Sequence, residues 1–169
     1  MHRDPYRGLY HERSHATVED LERRGRLVRE TEKLLHSPAT GQGLVGAFVQ
    51  GRCPACGSGA AGSSCESCGL WFGPADLLDA RPVLPEDGPA GTRAVTSVFL
   101  TGDPRWFSGE EAARRFPPGY AELLEKYVAH NGRRIRLNHP LGWGVPWRGG
   151  APGDVHLSYG TGTYAAFSV

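Results

Sequence analysis

The cysteines constrain this chain more than any other feature of its sequence. All four lie in two matched units, Cys53-Pro54-Ala55-Cys56-Gly57 and Cys65-Glu66-Ser67-Cys68-Gly69, with eight residues between Cys56 and Cys65. A two-residue spacing lets both thiolates of a unit meet one ion. The glycine that follows allows the turn whose backbone N–H groups point at sulfur. The pattern is that of a zinc-knuckle pair, with one Zn2+ held by Cys53, Cys56, Cys65 and Cys68. Four thiolates close the tetrahedron and leave no position for water or substrate, so such an ion is structural. The linking hairpin, Gly57 to Ser64, is small and polar and has no core of its own. The metal would then supply its folding free energy. Two disulfides are the alternative, and they need an oxidising compartment. The opening Met1-His2-Arg3-Asp4-Pro5 has no apolar stretch of the kind an export signal carries. A catalytic redox pair does not account for two matched units.

The 169 residues suffice for one domain, or one domain with a small inserted module. With 39% hydrophobic residues a core can form and bulk disorder is not expected. Nineteen basic against 18 acidic residues give a formal charge of +1, which excludes a cationic nucleic-acid coat. The knuckle hairpin itself has no Lys, no Arg and no aromatic residue; Arg52 precedes it and Trp71-Phe72 follow it. That argues against direct reading of a nucleic acid by the knuckle, which would want cations and stacking platforms. Contact with tRNA therefore has no support from charge. No window holds 18 consecutive apolar residues, so no membrane span and a cytoplasmic location are expected.

A coarse reading places the cysteines in an α+β chain, a small mixed domain with a four-cysteine knuckle hairpin (52–69) inserted in it. Residues 1–16 read as a polar, irregular N-terminal arm, and 17–169 as the domain. Thr17-Val18-Glu19-Asp20 looks like a helix start, with Val18 and Leu21 on one face and Gly25 as its stop. An extended segment follows from Arg26, with a longer helix to about Leu35 as the rival. Gly41 to Gly51 reads as a strand or bend, and Asp76 to Pro89 as a turn-filled connection. Ala94 to Leu100 is β-prone. Ser108-Gly109-Glu110-Glu111 is a capping-box sequence, and the helix it starts ends at Pro117-Pro118. Tyr120, Leu123, Leu124, Tyr127 and Val128 recur at helical spacing on one face, and Asn131-Gly132 stops that helix. Arg133 to Leu137 and Val155 to Tyr159 are short strand candidates. The cations of Arg133-Arg134-Ile135-Arg136 can touch phosphates or guard an exposed strand edge. His11 and His15 are four apart but have no third ligand near them, and read as surface histidines. Asp154 and His156 would share one face of a strand. Tyr159-Gly160-Thr161-Gly162-Thr163 lacks the Gly-Lys-Ser/Thr ending of a phosphate loop and reads as a strand with a glycine bend.

The surroundings of the knuckle are more specific than the knuckle. Phe48-Val49-Gln50-Gly51-Arg52-Cys53-Pro54-Ala55-Cys56-Gly57, then Ser64-Cys65-Glu66-Ser67-Cys68-Gly69, then Pro74-Ala75-Asp76-Leu77-Leu78-Asp79-Ala80-Arg81 resembles the connective-peptide insertion of methionyl-tRNA synthetases, class I enzymes. Leu141-Gly142-Trp143-Gly144-Val145-Pro146 is similar to that family's Leu-x-Trp-Gly-x-Pro. Leu21 to Val28 is similar to its helix-to-strand step, and Ser97-Val98-Phe99-Leu100 stands where the family has an aromatic strand. The likeness covers roughly residues 17–164.

The departures bear on function. The family's His-Ile-Gly-His and Lys-Met-Ser-Lys-Ser motifs, which act on the ATP phosphates, are not in this sequence. His139-Pro140 stand in place of an Arg-Asp pair. In the stretch that lines the amino-acid pocket, Leu157 replaces a Trp and Tyr159 an Asp, while Tyr164 persists. The resemblance thus implies a zinc-binding paralogue of the connective region, an accessory or binding protein or partner subunit without aminoacylation of its own. Its partner would be a catalytic protein. The alternative it implies is a component of an amino-acid-activating or amino-acid-joining enzyme of specialised metabolism, an ATP-dependent ligase working with a cupin-type partner. There Trp143, Leu157 and Tyr164 would hold an altered substrate.

Overall fold

The computed structural model describes residues 5–102, 104–139, 145–146 and 156–157; for 5–7, 74, 104, 106, 139, 146 and 156–157 it describes the backbone alone. Among these residues the chain is α+β and divides into two compact units. One comprises the described residues within 1–32, 95–101 and 135–169, the other those within 33–94 and 102–134.

The first unit begins with α1, Pro5–Arg23. Twelve residues of the segment read as an irregular arm, 5–16, are therefore helical. That stretch is too polar for a periodic signal, yet His15 is 9% exposed rather than a surface residue. Gly25 does stop the helix. At φ +66° it occupies the left-handed region, its N–H donates to Glu22 O (2.9 Å), and Arg26 N–H reaches back to Leu21 O (2.9 Å). This pair of bonds satisfies carbonyls that the helix end leaves over, and only glycine adopts that conformation without strain. The chain then enters β1, Leu27–His36, so the helical rival to Leu35 falls. Strand β5, Gly91–Thr101, contains the β-prone run, and the sheet order is β1-β5-β6, with β6 at Arg134–Arg136. Val18 and Leu21 pack with Val98, Leu100, Leu137 and Val145 as one core, with Tyr10 and Leu27 against it. Buried Asn138 accepts the Val98 N–H at 2.6 Å. Short strands β7 (Asn138–His139), β8 (Val145–Pro146) and β9 (His156–Leu157) pair antiparallel in the order β7-β9-β8.

The second unit carries the cysteines. After a 3-10 turn, Gly46–Phe48, strand β2 (Val49–Arg52) runs between β3 (Gly59–Ala61) and β4 (Leu78–Pro82), antiparallel to both. Strand β4 lies inside the stretch read as a turn-filled connection. Its side chains are exposed or half-buried, so it carries no apolar run, and backbone pairing with β2 holds it. The ladder slips between Gln50 and Arg52, where Asp79 takes φ +52° and accepts from Arg52 Nε at 2.8 Å. The side chain thus anchors its own bulge. Buried Ser37 and Asp87 tie two turns together. Ser37 Oγ donates to Asp87 O, and Thr40 Oγ1 to Asp87 Oδ1, each at 2.8 Å.

The two later helices follow the sequence closely. Ser108 caps α2, Gly109–Arg115, by accepting the Glu111 N–H (3.4 Å), and the helix ends before Pro117. Helix α3, Tyr120–Asn131, stops at Gly132. Its apolar face is only partly covered: Leu124, Tyr127 and Val128 are half-buried, but Tyr120 and Leu123 are 53% and 41% exposed.

Candidate metal centre

The two Cys-x2-Cys units fold alike, bond for bond. In the first, Cys53 N–H donates to Ser58 O (2.8 Å) and Gly57 N–H to Cys53 O (3.0 Å). In the second, Cys65 N–H donates to Leu70 O (2.9 Å) and Gly69 N–H to Cys65 O (2.8 Å). Gly57 and Gly69 share φ +73°, a backbone that a side chain would strain. Each unit is therefore a tight turn that curls its two sulfurs to one side. Strand β2 delivers the first turn and the β2–β3 hairpin carries the chain to the second.

The two turns face each other. The four sulfurs lie within 4.8 Å of one another and can hold a metal ion. Cys53 Sγ is 3.8 Å from Cys68 Sγ, and Cys56 Sγ is 3.6 Å from Cys65 Sγ; a disulfide would need about 2.05 Å. Burial follows the repeat. The leading cysteines, Cys53 and Cys65, are 0% and 2% exposed, Cys56 is exposed and Cys68 half-buried. Cys53 and Cys65 belong to an apolar cluster with Leu35, Leu44, Val49, Leu70, Phe72 and Leu77. The thiols are thus part of this unit's core.

Four thiols this close cannot all ionise without a cation among them. Ser58 hydrogen-bonds Cys56 through its side chain and its backbone and lowers that thiol to about 6. At Cys68 the Leu70 backbone favours the thiolate, but desolvation and the three neighbouring thiols outweigh it and push the group up to about 11. A bound cation removes this competition.

Helix α3 supplies contacts that spacing arguments could not have found. Leu123 lies so close to Gly69 that a Cβ there would meet its Cδ2 at 2.2 Å. Lys126 Nζ donates to Cys68 O (3.4 Å), Asn131 Nδ2 to Trp71 O (2.6 Å), and His130 Nε2 is 3.2 Å from Asp76 Oδ2. Residues 55 to 57 of the first turn are all exposed.

Other sequence candidates separate from this centre. Arg136 is no free cation. Its guanidinium takes both oxygens of Glu32, Nη2 to Oε2 at 2.7 Å, donates to Ser97 Oγ at 2.8 Å and lies 4.9 Å from the Phe99 ring centroid. It sits on β6, the sheet's end strand, but with its side chain 18% exposed and bonded to residues of β5 and β1 it is not the exposed edge guard that the sequence suggests. Trp143, Asp154, Tyr164 and the 159–163 glycine segment lie outside the described residues, and Leu157 and His156 are described by backbone alone. No helix among the described residues is long and apolar enough to cross a membrane.

Known proteins resemble this chain over most of its length. Residues 8–147 match the family model described as tRNA synthetases class I (M). The methionine–tRNA ligase of Thermobifida fusca is 39% identical over 145 residues, covering 75% of this chain and 21% of the ligase. That of Corynebacterium urealyticum is 36% identical over 134 residues, covering 75% and 21%. That of Corynebacterium glutamicum is 30% identical over 144 residues, covering 78% and 23%. Among solved structures, the free-state Mycobacterium tuberculosis methionyl-tRNA synthetase matches with a TM-score of 0.49 at 11% identity, over 99% of this chain and 30% of that one. The chain spans less than a quarter of the length of these curated relatives. With the family model covering most of its length, the chain belongs to the class I (M) tRNA synthetases.

Proposed function

We propose that the chain is a zinc-stabilised accessory module of the synthetase family, acting beside a catalytic partner and not activating an amino acid by itself. The observation that carries the metal half of this reading is the thiol array. Bonds of about 2.3 Å from sulfur to a tetrahedral Zn2+ put the sulfurs about 3.8 Å apart; two of the distances here are 3.6 and 3.8 Å. All-thiolate, tetrahedral donors suit zinc. Cys53, Cys56, Cys65 and Cys68 would hold it, and a bound ion would hold the two turns together without taking part in a reaction.

The accessory half rests on the site itself: four thiols converge on one point, and four thiolates close a tetrahedron with no position left for water or substrate. Adenylate formation would need converging cations or backbone N–H groups around the phosphates instead.

Two measurements test the reading on the purified chain. Metal analysis should return one zinc per chain. Amino-acid-dependent ATP–pyrophosphate exchange, run over a panel of amino acids, should stay at background. Exchange with any amino acid would overturn the accessory role, and a chain that takes up no zinc would overturn the metal assignment.

A further inference from the structure

We propose that Cys56 is a site of oxidation by a hydroperoxide, with Cys65 as the resolving thiol, so that the knuckle opens by forming a disulfide between its two turns. The inference rests on the zinc reading above. It goes beyond that reading by giving the four sulfurs unequal chemistry.

Access sets the first step. Cys53 and Cys65 are 0% and 2% exposed inside the apolar cluster, and Cys53 Sγ also accepts the Ala55 N–H at 3.4 Å. Cys68 is half-buried in the turn against which Leu123 packs, with Lys126 bonded to its carbonyl. Cys56 is exposed between exposed Ala55 and Gly57. Among the four, Cys56 is the exposed residue, the one a small oxidant meets first.

Proximity sets the second step. Cys65 Sγ is 3.6 Å from Cys56 Sγ, so closing a bond of about 2.05 Å needs a shift of about 1.6 Å. The chemistry balances. Cys56 sulfur attacks one peroxide oxygen, the O–O bond breaks, and the departing hydroxide takes a proton and leaves as water. The resulting sulfenic acid is attacked by Cys65 sulfur; the S–S bond forms and the sulfenic oxygen leaves as a second water. Two thiolates lose two electrons, and one hydroperoxide, here hydrogen peroxide, accepts them. Cys53 and Cys68 remain as a two-sulfur set, take up protons and lose the ion.

The test uses the zinc-loaded full chain and hydrogen peroxide. Zinc release is followed with a chromophoric chelator, and disulfides are mapped after cleavage following Ala60 or Ala61 and following Glu66. The expected result is one zinc released as two thiols are lost, with a Cys56–Cys65 bond joining peptides from the two turns. A thiol reductant should then restore zinc binding. Retention of zinc under peroxide would overturn the proposal, as would a bond closing within one turn or sulfinate at Cys56 with no disulfide. The Cys56→His variant keeps a metal ligand but removes the exposed thiol, and should release zinc at about a tenth of the rate or slower; an unchanged rate would overturn the assignment. Should that variant hold no zinc, the disulfide map of the unaltered chain decides. A chain that never binds zinc defeats the preceding reading instead, which keeps the two failures distinct.

Discussion

Arg136 shows how a residue's type can be read from sequence while its role cannot. In Arg133-Arg134-Ile135-Arg136 it looks like one of three equivalent cations. In the fold its side chain is 18% exposed, forked onto Glu32 and bonded to buried Ser97. Arg136→Met should destabilise the chain by about 1–3 kcal/mol in urea unfolding, because Glu32 and Ser97 both lose a partner. Glu32→Gln should cost less, since a neutral acceptor stays in place. The cysteines make the same point. All four have equal standing in the sequence, yet Cys65→Ser should disturb the unit more than Cys56→Ser, because Cys65 is 2% exposed in the core. Near-ultraviolet circular dichroism of the two variants checks this.

On the zinc reading, acidity should act on metal binding in a defined direction. Metal binding requires thiolates. Cys68, pushed up to about 11, must give up a proton to the ion throughout the neutral range. Cys56, lowered to about 6, has already lost its proton above that pH and regains it below. Apparent zinc affinity should therefore fall as pH falls, and more steeply below about 6. A competition titration against a zinc chelator from pH 8 to pH 5 would show a single unbroken slope if this is wrong.

At the scale of elements, legibility depended on whether an element's cause is local. Helix α2 was readable because Ser108 caps it and Pro117 ends it. Ser108→Ala should cost about 0.5–2 kcal/mol in the same unfolding assay. Strand β5 was readable from Val95, Val98, Phe99 and Leu100, which are buried. The first half of α1 was missed because Pro5 to Ala16 shows no apolar period. Strand β4 was missed because its partner, β2, lies about thirty residues back across the whole knuckle. Asp87 was likewise invisible. In Pro85-Glu86-Asp87 it reads as a solvated turn acid, but it is 1% exposed and accepts from Thr40 across 47 residues. Asp87→Ala should lower stability by about 1–3 kcal/mol, measured by denaturant midpoint.

For the whole molecule, the two compact units draw on separate apolar clusters, one around Val18, Val98 and Leu137, the other around Val49, Phe72 and Leu77. The candidate site was legible because its four cysteines and their glycines are contiguous in two short turns. The residues that support it from α3 were not, since Leu123, Lys126 and Asn131 lie more than fifty residues away and meet the turns only through packing.

The membership of Cys53 and Cys65 in the second cluster has a consequence for the life of the chain in a cell. If the centre holds zinc as proposed, losing the ion would loosen the turns that hold Leu70 and Phe72 inward, and apolar side chains would reach solvent. Such a chain is what quality-control proteases recognise. Cellular zinc supply would then govern abundance by governing turnover: starvation should shorten the protein's half-life with no change in its synthesis.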